Sequence, residues 1–221
     1  MPKLGANHEN LDTKIYNELK AMVLDRKILP GDKIFQDKLA QELGVSRTPL
    51  VNALKYLERE KLIIAVPRRG YFVRQFTKEE MISIFELREV LEGLAARRAA
   101  SLISDAQVKR LIEFFHNFKD VKDLSDFKAY AREDRRFHHF VVEVGSKEFL
   151  RSILESYNVI AFSYQIDGTE GLVRPPGETI REHQAIIKAI CKRDPDKAEK
   201  FMRNHLRKSL NQLKHNHTGE K

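Results

Sequence analysis

Four polar side chains stand at inward-facing positions of predicted amphipathic helices, where apolar residues are expected. Asp134 lies within the apolar stripe of a helix predicted over residues 126–144, and His138 follows one turn later on the same face. His183 and His205 take the same kind of position on two later helices. A buried carboxylate or imidazole must be paired or coordinated, and one divalent metal ion would satisfy all four groups at once. The pattern therefore predicts a metal site.

The helical periodicity separates these groups from a neighbouring histidine. His139 follows His138 directly, but the helical wheel turns it toward solvent, so we do not count it as a ligand. Any single inward histidine is more often an ordinary core residue with a satisfied hydrogen bond, and that alternative stays open for each of the three. Imidazole ligands favour zinc or nickel as the divalent ion, and ligand chemistry alone does not choose between them.

One arginine is also predicted to point into the core. Arg88 lies on the apolar side of a helix predicted over residues 78–100, near Leu87 and Leu91. It could form a buried ion pair with a carboxylate such as Glu92. Alternatively, it could clamp the carboxylate of a bound ligand, a role that suits the geometry of the guanidinium group. Both interpretations stay open.

The elements that would position these residues form a mainly α-helical chain with two predicted domains. Residues 1–75 read as three helices followed by a β-hairpin, the layout of a winged helix-turn-helix. Residues 76–221 show no strand-like alternation and read as an all-α helical bundle that forms an effector domain. Its helices are predicted after capping boxes at Thr77 with Glu80 and at Ser104 with Gln107, and over residues 126–144, 147–162, 177–192 and 195–214.

The first domain contains a run with the spacing of a DNA-reading helix pair. From Asp37 to Leu57, a short helix is followed by a turn at Gly44 and by a second helix that opens at Ser46, which suits the N-cap. Arg47 has the reach for a bidentate contact with guanine in the major groove. Phosphates can be bound by the hydroxyls of Ser46 and Thr48 together with the backbone amides at the start of the helix.

Further cations extend this predicted DNA surface. Lys55 lies later on the second helix and is a candidate for a backbone contact. The hairpin tip carries Arg68, Arg69 and Gly70, which would form a wing whose glycine allows close approach to a groove or phosphate. Taken separately, each element also fits a generic small domain with solvated arginines. The combination favours double-stranded DNA as a partner.

Composition is consistent with a cytoplasmic DNA-binding protein. Lys and Arg number 40 against 32 Asp and Glu, which gives a net charge of +8 and a pI near 9.5. Residues 1–75 hold 14 of the basic and nine of the acidic residues, so positive charge is densest at the N-terminal end. A single cysteine, Cys191, excludes an intramolecular disulfide. The absence of a long apolar stretch predicts no signal peptide and no membrane span.

Two segments of the first domain carry a specific family resemblance. The run PGDKIFQDKLAQELGVSRTPLVNALKYLEREKLI, followed by VPRRGYFV, resembles the winged helix of the GntR family of bacterial regulators. The resemblance implies that Arg47, Thr48 and the wing residues 68–70 face DNA. The family usually has a DNA-contacting arginine where this chain has Val51, so we expect an altered operator sequence. Val51 can still pack against a thymine methyl group.

The second domain is similar to the helical FCD effector domain of the FadR branch of GntR regulators. The similarity rests on FELREVLEGLAARRAA, EDRRFHHFVVEVGSKEF, EHQAIIKAI and NHLRKSL and covers residues 77 to about 213. It implies that the metal ligands are Asp134, His138, His183 and His205, and that Arg88 faces the ligand. The family often has Asn where this chain has Lys147, a departure at one end of the predicted pocket.

These observations predict a ligand-responsive transcriptional regulator, most simply a repressor that binds a palindromic operator as a homodimer. A small organic acid would complete the coordination of the metal, form a salt bridge to Arg88 and shift the tilt between the domains. Two alternatives stay open. A metal-dependent hydrolase could use the open coordination positions, although Glu182 points away from His183 on the wheel and offers no general base. A nonspecific architectural DNA-binding protein would leave the buried ligands unexplained.

Overall fold

The structure is a computed structural model that describes residues 11–118, 127–147, 150–151, 153–154 and 172–215. Its contacts divide the chain into two compact units, Met1–Gln75 and Phe76–Lys221. Helices dominate both units, and the described strands all lie in the first unit. The predicted mainly α-helical class, with a small winged unit before a helical one, is therefore confirmed.

The first unit combines three helices with a small antiparallel sheet. Helices α1 (Leu11–Leu24), α2 (Gln36–Glu42) and α3 (Arg47–Arg59) precede the hairpin of β2 (Ile63–Val66) and β3 (Gly70–Val73). A further strand, β1 (Lys33–Ile34), pairs with the other side of β3 and gives the order β1-β3-β2. Strand β1 was not predicted, because two residues are too few to show an alternating pattern.

Apolar faces of α1 and α3 form the core of this unit. The inward positions of α3 are fully buried, and α1 contributes a matching stripe at helical spacing. The turn between α2 and α3 depends on Gly44, whose φ of +63° lies in the left-handed region that glycine adopts without strain. The buried residues of the two helices are Ile15, Leu19, Val23, Leu50, Ala53, Leu54 and Leu57.

The second unit contains the helices that the periodicity predicted. Both predicted capping boxes are present, at the starts of α4 (Lys78–Leu102) and α5 (Asp105–Leu111). A short 3-10 helix at His116–Phe118 precedes α6 (Phe127–Gly145). Helices α7 (Pro176–Cys191) and α8 (Pro195–His215) begin at prolines, as expected from the missing amide hydrogen. The helix predicted over 147–162 falls largely outside the described residues.

Helix α4 packs against α6 and α8, and α7 packs against α8. The approach of α6 to α4 is very close at Gly145, where an added Cβ would overlap the carbonyl oxygen of Ala95. Leu87 was predicted to face the core, but it is 43% exposed. The helical wheel placed Leu87 beside Arg88 on the apolar side of α4. The neighbouring helices bury a stripe of α4 that is narrower than this apolar side and leaves Leu87 out. In the described part of the chain, no helix is sufficiently long and apolar to cross a membrane.

Candidate metal centre and nucleic-acid interface

Three of the predicted ligands converge in the interior of the helical unit. His138, His183 and His205 are buried, and each offers one ligand atom within 4.8 Å of those of the other two. The Nε2 atoms of His183 and His205 are 3.2 Å apart. A zinc ion about 2.0–2.1 Å from each nitrogen would bring neighbouring ligand atoms to a separation a little above 3 Å. The donor set and its spacing fit a divalent ion.

The fourth predicted ligand lies beside this triad. Asp134 is 8% exposed, and its Oδ1 is 3.3 Å from Nε2 of His183. It stands one turn before His138 on α6, as the helical wheel predicted. The group in which all ligand atoms are mutually close contains the three histidines but not Asp134. His139, predicted to be the solvent-facing neighbour, is exposed.

Each imidazole is held at Nδ1 by a side chain from a different helix. The partners are Glu92 of α4, 2.5 Å from His138, the hydroxyl of Tyr130 of α6, 3.1 Å from His183, and Glu182 of α7, 2.9 Å from His205. A partner on Nδ1 fixes the orientation of the ring and leaves Nε2 for the ion. Thus α4, α6, α7 and α8 all contribute to the geometry of the site.

Glu92 joins this centre to the buried arginine. Its side chain is fully buried, with Nε of Arg88 2.6 Å from Oε1 and His138 on Oε2. Burial alone would raise the pKa of the Glu92 carboxyl, but Arg88 and His138 outweigh it and lower the pKa to about 2. The ion-pair interpretation of Arg88 is therefore the one observed. Arg88 also lines the cavity described below, so a ligand contact remains a prediction.

Glu182 contacts the site, although the helical wheel directed it away. Its carboxylate accepts from both terminal nitrogens of Arg174, at 2.8 and 3.0 Å, and from Lys208 at 2.7 Å, besides its contact with His205. These cations and the His205 hydrogen bond outweigh burial and lower the pKa of Glu182 far below its usual range. The wheel describes one helix only, and His205 reaches Glu182 from the neighbouring α8. Glu182 therefore lies behind a predicted ligand, on the Nδ1 side of His205.

The environment keeps two of the predicted ligands neutral. Burial, followed by the charges that His205 and His138 would carry, holds the pKa of His183 well below 6.5. Burial likewise lowers the pKa of His205, although its hydrogen bond to Glu182 opposes the shift. Neutral imidazole is the form that binds a metal ion, so these ligands need not release a proton when an ion binds near neutral pH.

We expect the metal-free protein to lose stability as the pH falls below 6.5. The unfolded chain then takes up protons at positions 183 and 205, whereas the fold resists protonating His183 and His205 because both pKa values are lowered. Urea unfolding of chelator-treated protein between about pH 7.5 and pH 5.5 checks this. The His183→Gln variant, which cannot titrate, should lose less stability over the same range. If wild type and His183→Gln lost the same stability over this pH range, the lowered pKa of His183 would be contradicted.

A small cavity adjoins the ligand triad. Its volume is about 40 Å³, enough space for a few water-sized groups. Two arginines contribute to its wall, which is lined by Phe85, Arg88, Asp134, His138, Leu172, Val173, Arg174, Thr179, His205, Leu206 and Ser209. The space suits a small polar group, held between metal ligands and cations.

The predicted DNA-reading residues are exposed at the start of α3. Ser46, Arg47 and Thr48 are all exposed, and Nη1 of Arg47 is 3.5 Å from the carboxylate of Asp37. Ser46 is the N-cap of α3, as predicted, and has the extended backbone of that position, although its side chain makes no capping hydrogen bond. Lys55 is exposed further along α3.

The predicted wing is present between β2 and β3. Arg68 and Arg69 are exposed at the tip, where Arg68 has a φ of +61° and Gly70 a φ of +97°. The guanidinium of Arg69 lies over the ring of Phe72, 5.5 Å from its centroid. This contact limits the freedom of one wing cation.

Val51 occupies the α3 position where the resemblance predicted a departure, and Asn52 follows it. Both are partly buried, and the amide of Asn52 donates to the carboxylate of Asp12 on α1 at 3.1 Å. Asn52 therefore ties α3 to α1. Arg47, at the exposed start of the helix, remains the residue with the reach to contact a base.

Comparison with known families decides the identity of both units. Residues 11–73 match the family described as bacterial regulatory proteins of the gntR family, and residues 83–208 match the FCD domain. The chain belongs to the GntR family of regulators, with an FCD domain. The resemblance stated from the sequence is thereby confirmed. The helical unit that carries the histidine triad is the FCD domain.

Relatives of this GntR regulator are named as transcriptional regulators. It is 28% identical over 210 residues to an uncharacterized HTH-type transcriptional regulator, YdhC, of Bacillus subtilis, covering 91% of this chain and 90% of that protein. It is 25% identical over 203 residues to the HTH-type transcriptional repressor RspR of Escherichia coli, covering 89% and 86%. These names describe regulators and not enzymes, which leaves the hydrolase alternative without support.

Further comparisons give the same result. The chain is 25% identical over 199 residues to the gluconate operon transcriptional repressor of Bacillus licheniformis, covering 88% of this chain and 82% of that protein. Among solved structures, E. coli McbR/YncC matches with a TM-score of 0.81 at 18% identity, covering 96% of this chain and all of the other. At that identity the structural match establishes the fold.

Proposed function

We propose that this GntR regulator is a repressor that binds a palindromic operator as a homodimer and senses a small organic acid at a metal ion in its FCD domain. The observation that carries the proposal is the buried triad His138, His183 and His205 beside a cavity that also holds Arg88. Residues 1–75 would bind DNA, and residues 76–221 would bind the effector. The protein would act in the cytoplasm, where its operator lies.

Different residues of the sensor site would bind different parts of the acid. The ion, held at the Nε2 atoms of the histidines and by Asp134, would supply an electrophilic site for one carboxylate oxygen. Arg88 would balance the remaining charge of that carboxylate, and Glu92 keeps the guanidinium oriented from 2.6 Å. A cavity of about 40 Å³ limits the group next to the ion to a few atoms. Zinc and nickel both suit this donor set.

The exposed start of α3 supports the DNA-binding half of the proposal. Arg47 would read a guanine, while Ser46, Thr48 and Lys55 would contact phosphates. The wing formed by Arg68, Arg69 and Gly70 would enter a neighbouring groove or contact its backbone. Several of the relatives are named repressors, which favours repression over activation.

One face of α4 supports a homodimer. Leu87, Val90 and Leu94 are 43%, 49% and 38% exposed, an unusual degree for large apolar side chains on one helix. Together with exposed Ser83 and Arg97 they follow one another at alternating intervals of four and three residues. Residues at that spacing form a seam along which two helices can pack, and a second copy of α4 presents the same seam. A two-fold dimer would match the symmetry of a palindromic operator.

The dimer predicts a specific effect of a charge on this seam. The Leu94→Glu variant should shift toward monomer in sedimentation analysis, because a carboxylate at a self-contacting position is buried without a partner. Its affinity for a palindromic operator should fall about tenfold or more, since the second half-site no longer adds to binding. The Ile112→Glu variant, which alters another exposed apolar residue of the FCD domain, serves as the control. A Leu94→Glu protein that stays dimeric would contradict this interface.

Electrophoretic mobility shifts with the full chain test the proposed function directly. An operator selected from random DNA should show half-site symmetry, and chelation of the metal should change the response of the complex to a panel of small organic acids. Binding that depends on salt but hardly on sequence would instead indicate an architectural DNA-binding protein. An operator affinity unchanged by chelation and by every acid would contradict the sensor site.

A further inference from the structure

Phe115 has an unusual backbone conformation next to the candidate metal centre. It lies between α5 and the 3-10 helix, is 1% exposed, and has a φ of +61° in the left-handed region. A bulky aromatic residue in that region is a genuine outlier and costs free energy that glycine or asparagine would largely avoid. Such strain persists where the surrounding structure specifies it, and it concentrates at functional sites.

The strained backbone delivers the Phe115 ring to the face of a predicted ligand. The ring stacks on the imidazole of His183 with centroids 4.6 Å apart and an interplanar angle of 6°. Tyr130 and Phe137 each pack against Phe115 with centroid distances of 5.5 Å. The backbone amide of Phe115 donates to a carboxylate oxygen of Glu133 at 3.3 Å, which helps to hold the turn.

His183 depends on this stack more than the other two ligands depend on ring contacts. Carboxylates hold Nδ1 of His138 and of His205, whereas the partner of Nδ1 of His183 is the hydroxyl of Tyr130. A neutral partner constrains the imidazole less strongly than a carboxylate does.

The stack adds a second restraint on the His183 ring, beside the hydrogen bond at Nδ1. If the His183 ring turned about its bond to Cβ, the two rings would lose their parallel contact, and Nε2 would turn away from His205 and Asp134. The flat contact therefore selects the ring plane in which Nε2 faces the other ligands.

We propose that Phe115 is a positioning residue that sets the plane of His183 for metal binding, an inference that rests on the proposed metal centre. It touches no ion and contributes through the imidazole. The left-handed backbone is the means by which the chain reaches over the ring at the end of α5.

Zinc affinity of the full chain, measured by competition with a chromophoric chelator, tests the proposal with three substitutions. Phe115→Leu removes the stack but keeps an apolar side chain, and Phe115→Gly also relieves the backbone strain. Both variants should bind zinc about three- to tenfold more weakly, the range expected for one aromatic pair. Phe115→Tyr keeps the stack and should stay within about twofold of wild type. Leu111→Ala, a core truncation at the end of α5, controls for lost packing and should also stay within about twofold.

The ring nitrogen NMR signals of His183 in the metal-free protein provide a second readout. Wild type and Phe115→Tyr should show one defined tautomer, whereas Phe115→Leu should show exchange between ring states. Zinc affinities and His183 signals that are the same in Phe115→Leu and wild type would overturn the proposal. If wild type bound no zinc, the proposed metal centre would fail, and the His183 signals would still decide the role of Phe115.

Discussion

Replacing Arg47 by alanine is expected to weaken binding to the selected operator by about tenfold to a hundredfold, the range for loss of one bidentate base contact. The side chain is 65% exposed at the start of α3, where its ion pair with Asp37 is long at 3.5 Å. Little stability should be lost, because such an exposed pair contributes little to folding. Titration of labelled operator and of unrelated DNA at fixed salt separates the loss of specificity from the loss of charge.

Arg59→Ala provides the matched control for this prediction. It removes the same charge from an exposed position at the other end of α3. Its effect should be small and similar for operator and unrelated DNA, whereas Arg47→Ala should mainly affect the operator. If the two variants weakened both DNAs to the same extent, Arg47 would contact the backbone only, and the assignment of α3 as the reading helix would be wrong.

Replacing Glu92 by glutamine is expected to lower the free energy of unfolding of the metal-free protein by about 3 kcal/mol or more. The substitution keeps the shape of the side chain but leaves Arg88, 3% exposed, without its buried counterion. It also replaces the anionic acceptor at Nδ1 of His138 with a neutral one. Urea unfolding of the purified variant measures the loss.

Glu89→Gln on the same helix is the control for Glu92→Gln. Glu89 pairs with Arg207, whose side chain is 55% exposed, so solvent screens the interaction. Its loss should cost less than about 1 kcal/mol. Equal losses in the two variants would indicate that the buried position of Glu92 adds nothing to its ion pair.

The pH dependence of the Glu92→Gln effect follows from the pKa of Glu92. Its pKa is lowered from 4.5 to about 2, so its contribution is fully present above 4.5 and disappears as the pH falls toward 2. The stability difference between wild type and Glu92→Gln should therefore shrink over that interval. A difference that stays constant would contradict the charged state of Glu92.

Helical periodicity was sufficient to place the three predicted histidine ligands in the core. It turned His138 inward and His139 outward, and these neighbours are indeed buried and exposed. Each of these helices of the FCD domain buries one stripe, so a polar residue within that stripe is recognisable from a single segment. The same reasoning placed Arg88 in the core but left its two interpretations open.

Contacts that depend on two helices were not predictable in this way. Tyr130, Glu182 and Phe115 reach the ligands from neighbouring elements, and no local pattern reports which helices will be adjacent. Phe115 also needs a left-handed backbone that a sequence pattern would assign to glycine or asparagine. The predicted burial of Leu87 was wrong for a related reason, since the width of the buried stripe depends on how the partner helices pack.

Metal analysis of the purified protein by mass spectrometry tests the central claim most directly. Wild type and His139→Ala should carry about one divalent ion per chain, and His183→Ala should carry essentially none, because His183 belongs to the buried triad and His139 does not. Native mass spectrometry should show a small acid released together with the ion. A wild-type protein that folds normally, contains no metal and takes up none when zinc or nickel is added would contradict the claim, and the three histidines would then be core residues held by their hydrogen bonds.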